Sequence, residues 1–70
     1  MERLTHPVLV NGEPREIAAE TLAEALTALG YEGAVVATAL NGEFVPQRKR
    51  AATPLAEGDR IEIVAPRQGG

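Results

Sequence analysis

The chain closes on Gly69 and Gly70, a few residues beyond a hydrophobic run at residues 61–65, and it contains neither cysteine nor serine. With the usual thiol and hydroxyl nucleophiles missing and a single histidine to serve the threonines as a base, no covalent chemistry of an enzyme's own is expected. The free carboxyl of Gly70 is the best candidate for a reacting group. A carboxylate is a poor electrophile at neutral pH, so acyl transfer from it needs activation. Attack by its oxygen on the α-phosphate of ATP would give an acyl-adenylate, with pyrophosphate leaving, and a sulfur or amine nucleophile could then displace AMP. The phosphate clamps and magnesium for that step would belong to a partner's site. The chain is therefore expected to bind no cofactor, the ATP being used by the activating partner, and only to present its end. Glycines suit such a tip, because without Cβ atoms they enter a narrow channel and let a partner's backbone come close. Pro66, Arg67, Gln68, Gly69 and Gly70 together reach about 17 Å at most when extended.

Other residue types offer less. His6 stands beside Pro7 near the N-terminus, where an exposed side chain is expected, and one ligand does not make a metal site. Glu13 with Glu16, and Glu57 with Asp59, are carboxylate pairs in turns or on a half-exposed strand, and they read as solvated surface. Arg48, Lys49 and Arg50 form a basic run with no aromatic between them, which reads as a solvated turn. Seven basic against ten acidic residues leave a net charge of −3, which argues against nucleic acid as a partner, since phosphate neutralisation needs a basic face. No apolar run approaches the length of a membrane span. With no cysteine there is no disulfide framework, and a cytoplasmic protein is expected.

The elements that must position the tail follow from periodicity. At 70 residues the chain is one domain, and a single core of this size rarely supplies more than about 3–5 kcal/mol of net stability. Val8, Leu9 and Val10 run into Asn11 and Gly12, a tight-turn pair, and residues 13–17 return antiparallel. Pro14 demotes that return to an edge strand. Leu22, Ala25, Leu26 and Leu29 fall at i, i+3, i+4 and i+7 of a helix, with Thr21 and Glu24 patterned as a capping box and Gly30 as the stop. Residues 34–40 are apolar almost throughout and predict an inner strand, although which of its faces is covered is left open. Asn41 and Gly42 repeat the turn, residues 43–45 form a short return stopped by Pro46, and residues 47–56 read as polar and irregular. After a turn at residues 57–59, Arg60, Ile61, Glu62 and Ile63 alternate, placing both isoleucines on one face. Hairpin, helix, strand, short strand, final strand is the order of a β-grasp, ubiquitin-like α+β domain, a small mixed sheet with one main helix across one face. In it the last strand lies parallel to the first at the centre, so residues 1–65 form the domain and 66–70 a tail.

The segments "VLVNGEP" at 8–14, "TLAEALTALG" at 21–30, "ALNGEFVPQ" at 39–47, "EGDRIEIVAP" at 57–66 and the closing "QGG" resemble the ThiS family of sulfur carriers in thiamine biosynthesis, over nearly the whole chain. That resemblance implies adenylation of the terminal glycine, here Gly70, by a ubiquitin-activating-type (ThiF-like) adenylyltransferase. It further implies conversion to a thiocarboxylate with a sulfur donor enzyme, and delivery of sulfur to a ThiG-like thiazole synthase. Gly69 is then the slim neighbour, with Gln68, Arg67 and Pro66 entering the partner's site. Seven residues precede the family-like strand, and Thr38 occupies a strand position where an aliphatic residue is more usual. The small subunit of molybdopterin synthase is the closest rival, but such chains run longer and richer in aromatics than the 3% found here. A ubiquitin-like modifier would share the adenylate and end in an isopeptide bond. Partners are expected on the sheet face away from the helix, where Glu62 and Val64 point if Ile61 and Ile63 face inward.

Overall fold

A computed structural model describes residues 5–66. Strands β1 (His6–Val10) and β2 (Glu13–Ile17) form the opening hairpin, helix α1 spans Leu22–Ala28, β3 (Ala37–Leu40) and β4 (Glu43–Val45) form a second hairpin, a 3₁₀ helix covers Gln47–Ala52, and β5 (Arg60–Val64) closes the sheet. The sheet order is β2-β1-β5-β3-β4. β5 runs parallel to β1 and antiparallel to β3, so the last strand is central, as expected of a β-grasp fold.

Both hairpins turn on Asn-Gly pairs with positive φ at both residues, Asn11 and Gly12 in the first and Asn41 and Gly42 in the second. That geometry matches the twist of the strands it joins. The Leu9 amide donates to Asp59 O at 2.9 Å, toward β5. Leu9 stands opposite Pro14, so that pair exchanges no hydrogen bond, and the ring nitrogen of Pro14 falls on the open edge of β2.

Helix α1 begins as its sequence predicts. Thr21 Oγ1 accepts from the Glu24 amide at 3.2 Å, and Glu24 Oε1 reaches back to the amide of Glu20 rather than that of Thr21, at 2.9 Å. It ends on a Schellman motif, with Tyr31 N–H donating to Leu26 O at 2.8 Å and Gly30 N–H to Thr27 O at 3.1 Å, while Gly30 adopts φ +92°. Leu22, Ala25 and Leu26 are buried, and Leu29 is only half-buried at the rim. They pack on Val8, Val10, Ile17, Val45, Ile61 and Ile63 from the covered sheet face.

Two expectations are corrected. The inner strand begins at Ala37, not at residue 34, because residues 34–36 are still leaving the helix: Ala34 N–H donates back to Tyr31 O at 2.9 Å, and Val35 is 79% exposed. The stretch expected to be irregular contains the 3₁₀ helix, and its exit contributes Leu55 to the core. Backbone bonds from Leu22 N to Thr53 O (2.9 Å) and from Leu55 N to Glu20 O (3.0 Å) tie that exit to the start of α1.

Candidate functional site at the end of the last strand

β5 alternates as expected: Ile61 and Ile63 are buried, while Glu62 and Val64 face away from the helix. The same register settles β3. Thr38 is buried and Leu40 half-buried on the helix side, which puts Ala37 and Ala39 on the open face. There Ala37 stands opposite Val64, and Ala39 is flanked by Glu62 and Phe44. Phe44 is 70% and Val64 63% exposed, and Leu9 adds a third large apolar side chain to this face. The alanines keep the middle of the face low between these side chains. The result is an apolar surface carrying the Glu62 carboxylate, next to the point where β5 ends. Exposed apolar groups gathered in this way mark an interaction surface.

β5 is gripped from both sides by asparagine side chains. Asn11 Oδ1 accepts from Ile63 N–H at 2.8 Å, and its Nδ2 donates to Ile63 O at 3.2 Å. The amide thereby extends the parallel ladder past the end of β1. Asn41 Oδ1 accepts from Arg60 N–H at 2.9 Å, and its Nδ2 donates to Asp59 Oδ1 at 3.0 Å. Asp59 also accepts from the Ala56 amide at 2.8 Å, so its carboxylate is a turn brace rather than solvated surface. Asparagine in an Asn-Gly turn signals the turn alone, and nothing local in the sequence marks its second role.

Thr38 and Arg50 form a buried polar relay. Thr38 Oγ1 donates to Val45 O at 2.8 Å and accepts from Arg50 Nε at 3.0 Å, while Arg50 Nη2 donates to Val36 O at 2.6 Å. Arg50 is 8% exposed. This corrects the reading of residues 48–50 as one solvated basic turn: only Arg48 and Lys49 are exposed, and the 3₁₀ helix turns Arg50 inward. It also accounts for a threonine at position 38, whose hydroxyl receives the guanidinium.

His6 is half-buried rather than exposed. Among the described residues no group of three or more His, Asp or Glu side chains is placed to hold a metal ion, and no helix is long and apolar enough to cross a membrane. Pro66 is exposed and lies outside any strand. The expectations for Arg67, Gln68, Gly69 and Gly70 fall outside the described residues.

The model of the ThiS family matches residues 8–70. The chain belongs to the ThiS family. It is similar to the sulfur carrier protein ThiS of Thermus thermophilus, 43% identical over 63 residues that cover 90% of this chain and 98% of that protein. It is also 39% identical over 64 residues to a thiazole synthase of Paramagnetospirillum magneticum, a match that covers 90% of this chain but 20% of that protein. Among solved structures it resembles the thiamine biosynthesis protein ThiS of Geobacter metallireducens, with a TM-score of 0.76 and 34% identity, covering 91% of this chain and 99% of that one.

Proposed function

We propose that the protein is a sulfur carrier of thiamine biosynthesis, acting in the cytoplasm. Its reacting group is the carboxyl of Gly70, at the end of a tail formed by residues 66–70. The observation that carries this reading is a family match running through residue 70 on a fold whose central strand ends at Val64. A ThiF-like adenylyltransferase activates the carboxylate with ATP, a sulfur donor replaces AMP to leave a thiocarboxylate, and a ThiG-like synthase accepts the sulfur. The likeness to one segment of a longer chain named thiazole synthase supports that acceptor, because it joins a carrier-like sequence to the enzyme's name in one polypeptide. The chain supplies no catalytic residue. Its contributions are the slim Gly69, the entering residues Pro66, Arg67 and Gln68, and a docking face built on Val64 and Glu62.

Co-expression with the host's activating enzyme and sulfur donor, followed by intact mass measurement, tests this. A gain equal to one oxygen exchanged for sulfur, absent when Gly70 is deleted, is expected. An unchanged mass overturns the carrier reading, and a covalent adduct on another protein's lysine replaces it with a modifier.

A further inference from the structure

A groove of about 360 Å³ lies on the helix side of the molecule, between α1, the loop 31–36 and the 3₁₀ helix. Leu26, Tyr31, Val35, Val36 and Ala51 supply its apolar walls, and its charged residues are the buried Arg50 and the exposed Glu32. Arg50 is more than nine-tenths buried, yet it meets only neutral acceptors, Thr38 Oγ1 and Val36 O. Nη1 has no partner among the described residues. Every fully buried side-chain nitrogen and oxygen among them is hydrogen-bonded, so Nη1 must be reached from outside, and the groove that Arg50 lines is the route. A guanidinium sunk between aliphatic and aromatic walls, with donors to spare, matches a carboxylate in charge and in geometry. Arg48 and Lys49 on the exposed side of the same 3₁₀ helix add positive charge to a protein whose net charge is −3.

We infer that this groove receives an extended segment of a protein partner, an aliphatic side chain lying against Leu26 and Val35 with an adjacent carboxylate on Arg50. Three observations select that occupant. The spare donor of Arg50, which no carboxylate meets among the described residues, and the apolar walls call for an acidic group beside an apolar one, with Glu32 at an exposed position of the lining. The chain's own residues 67–70 bring a carboxylate but no apolar side chain to fill the groove. The groove also opens at the end of the sheet where β5 stops, because Val36 precedes Ala37, which stands opposite Val64. The exposed Val35 and Val64 mark this same end of the molecule. A partner that docks beside the end of β5 has this opening within reach. To that extent the identity of the partner rests on the carrier reading, while the groove's preference for a carboxylate does not.

Titration of the ¹⁵N-labelled full chain with isovalerate, and with isovaleramide at equal ionic strength, tests the preference without partner, ATP or tail chemistry. Isovalerate is expected to shift the amides of Tyr31, Val35, Val36 and Ala51 and the Arg50 Nε–H saturably, binding about tenfold or more tightly than the amide, as one charge-assisted hydrogen-bonded contact implies. Ala51→Glu, at an exposed position on the groove wall, should abolish those shifts while keeping a native spectrum. Equal shifts with both probes, or shifts confined to Arg48 and Lys49, overturn the site. If deleting residues 67–70 from the unliganded chain moves the same amides as isovalerate does, the tail itself is the occupant and the partner assignment fails. A failed mass experiment on Gly70 leaves all of these outcomes readable.

Discussion

Thr38 and Arg50 hold each other in place. A threonine inside an otherwise aliphatic strand invites the question of what satisfies its hydroxyl, and the answer is a side chain twelve residues away that lies among exposed cations in the sequence. Composition shows three consecutive basic residues. Only the 3₁₀ winding, with three residues per turn, decides which of them turns inward, so Thr38 was legible as a departure and Arg50 was not. The relay joins β3, β4 and the 3₁₀ helix through neutral acceptors, so removing Thr38 strands Arg50 Nε, whereas removing Arg50 leaves Thr38 bonded to Val45 O. Thr38→Val is expected to cost about 1–3 kcal/mol in urea unfolding, because Arg50 Nε is left without an acceptor. Arg50→Met should cost about 1–2 kcal/mol, less than Thr38→Val, because it removes the donors to Thr38 Oγ1 and Val36 O while the Thr38 hydroxyl keeps its bond to Val45 O. The double variant should lose clearly less than the sum, since the unpaired groups disappear together. Additivity to within about 0.5 kcal/mol would show that the two residues act independently.

Among the elements, the two hairpins and the helix were legible because each carries its own boundary chemistry: Asn-Gly at both turns, Thr21 and Glu24 at the helix start, Gly30 at its end. The 3₁₀ helix was not, because QRKRAA has no apolar stripe and its burial comes through a single arginine. The early start expected for β3 fails for a related reason, since an apolar run does not say where backbone pairing begins. At Gly30 a Cβ would meet nothing within 4 Å, so Gly30→Ala tests backbone strain alone; a loss of about 1–2 kcal/mol is expected, the penalty of a left-handed alanine. The asparagines combine a turn with a clamp, and glycine substitution separates the two roles. Asn11→Gly keeps the turn but strips the partners of Ile63, whose contact is part-buried, and should cost about 1–3 kcal/mol. Asn41→Gly removes exposed bonds and should cost about 0.5–1 kcal/mol. Equal losses in urea would mean that the part-buried clamp on Ile63 contributes no more than the exposed bonds of Asn41.

For the molecule as a whole, the central place of β5 beside β1 was legible from the order of the elements, and the outward faces of Glu62 and Val64 from alternation. The facing of Ala37 and Ala39 was not, because small residues suit either side of a sheet and only the register of β3 against β5 decides between them. Val64 joins Phe44 and Leu9 on a surface that the isolated fold leaves uncovered. Val64→Asp is therefore expected to leave urea stability within about 0.5 kcal/mol, while weakening binding to the activating enzyme proposed above about tenfold in calorimetry. Unchanged affinity would remove this face from the docking surface. The central place of β5 has a mechanical consequence as well. A pull on its C-terminal end loads the ladders with β1 and β3 in shear, so many hydrogen bonds and the Asn11 clamp bear the force at once rather than peeling one by one. A load on Val64 along the strand is thus shared between two neighbours, whereas the edge strand β2 can be peeled from β1 one bond at a time.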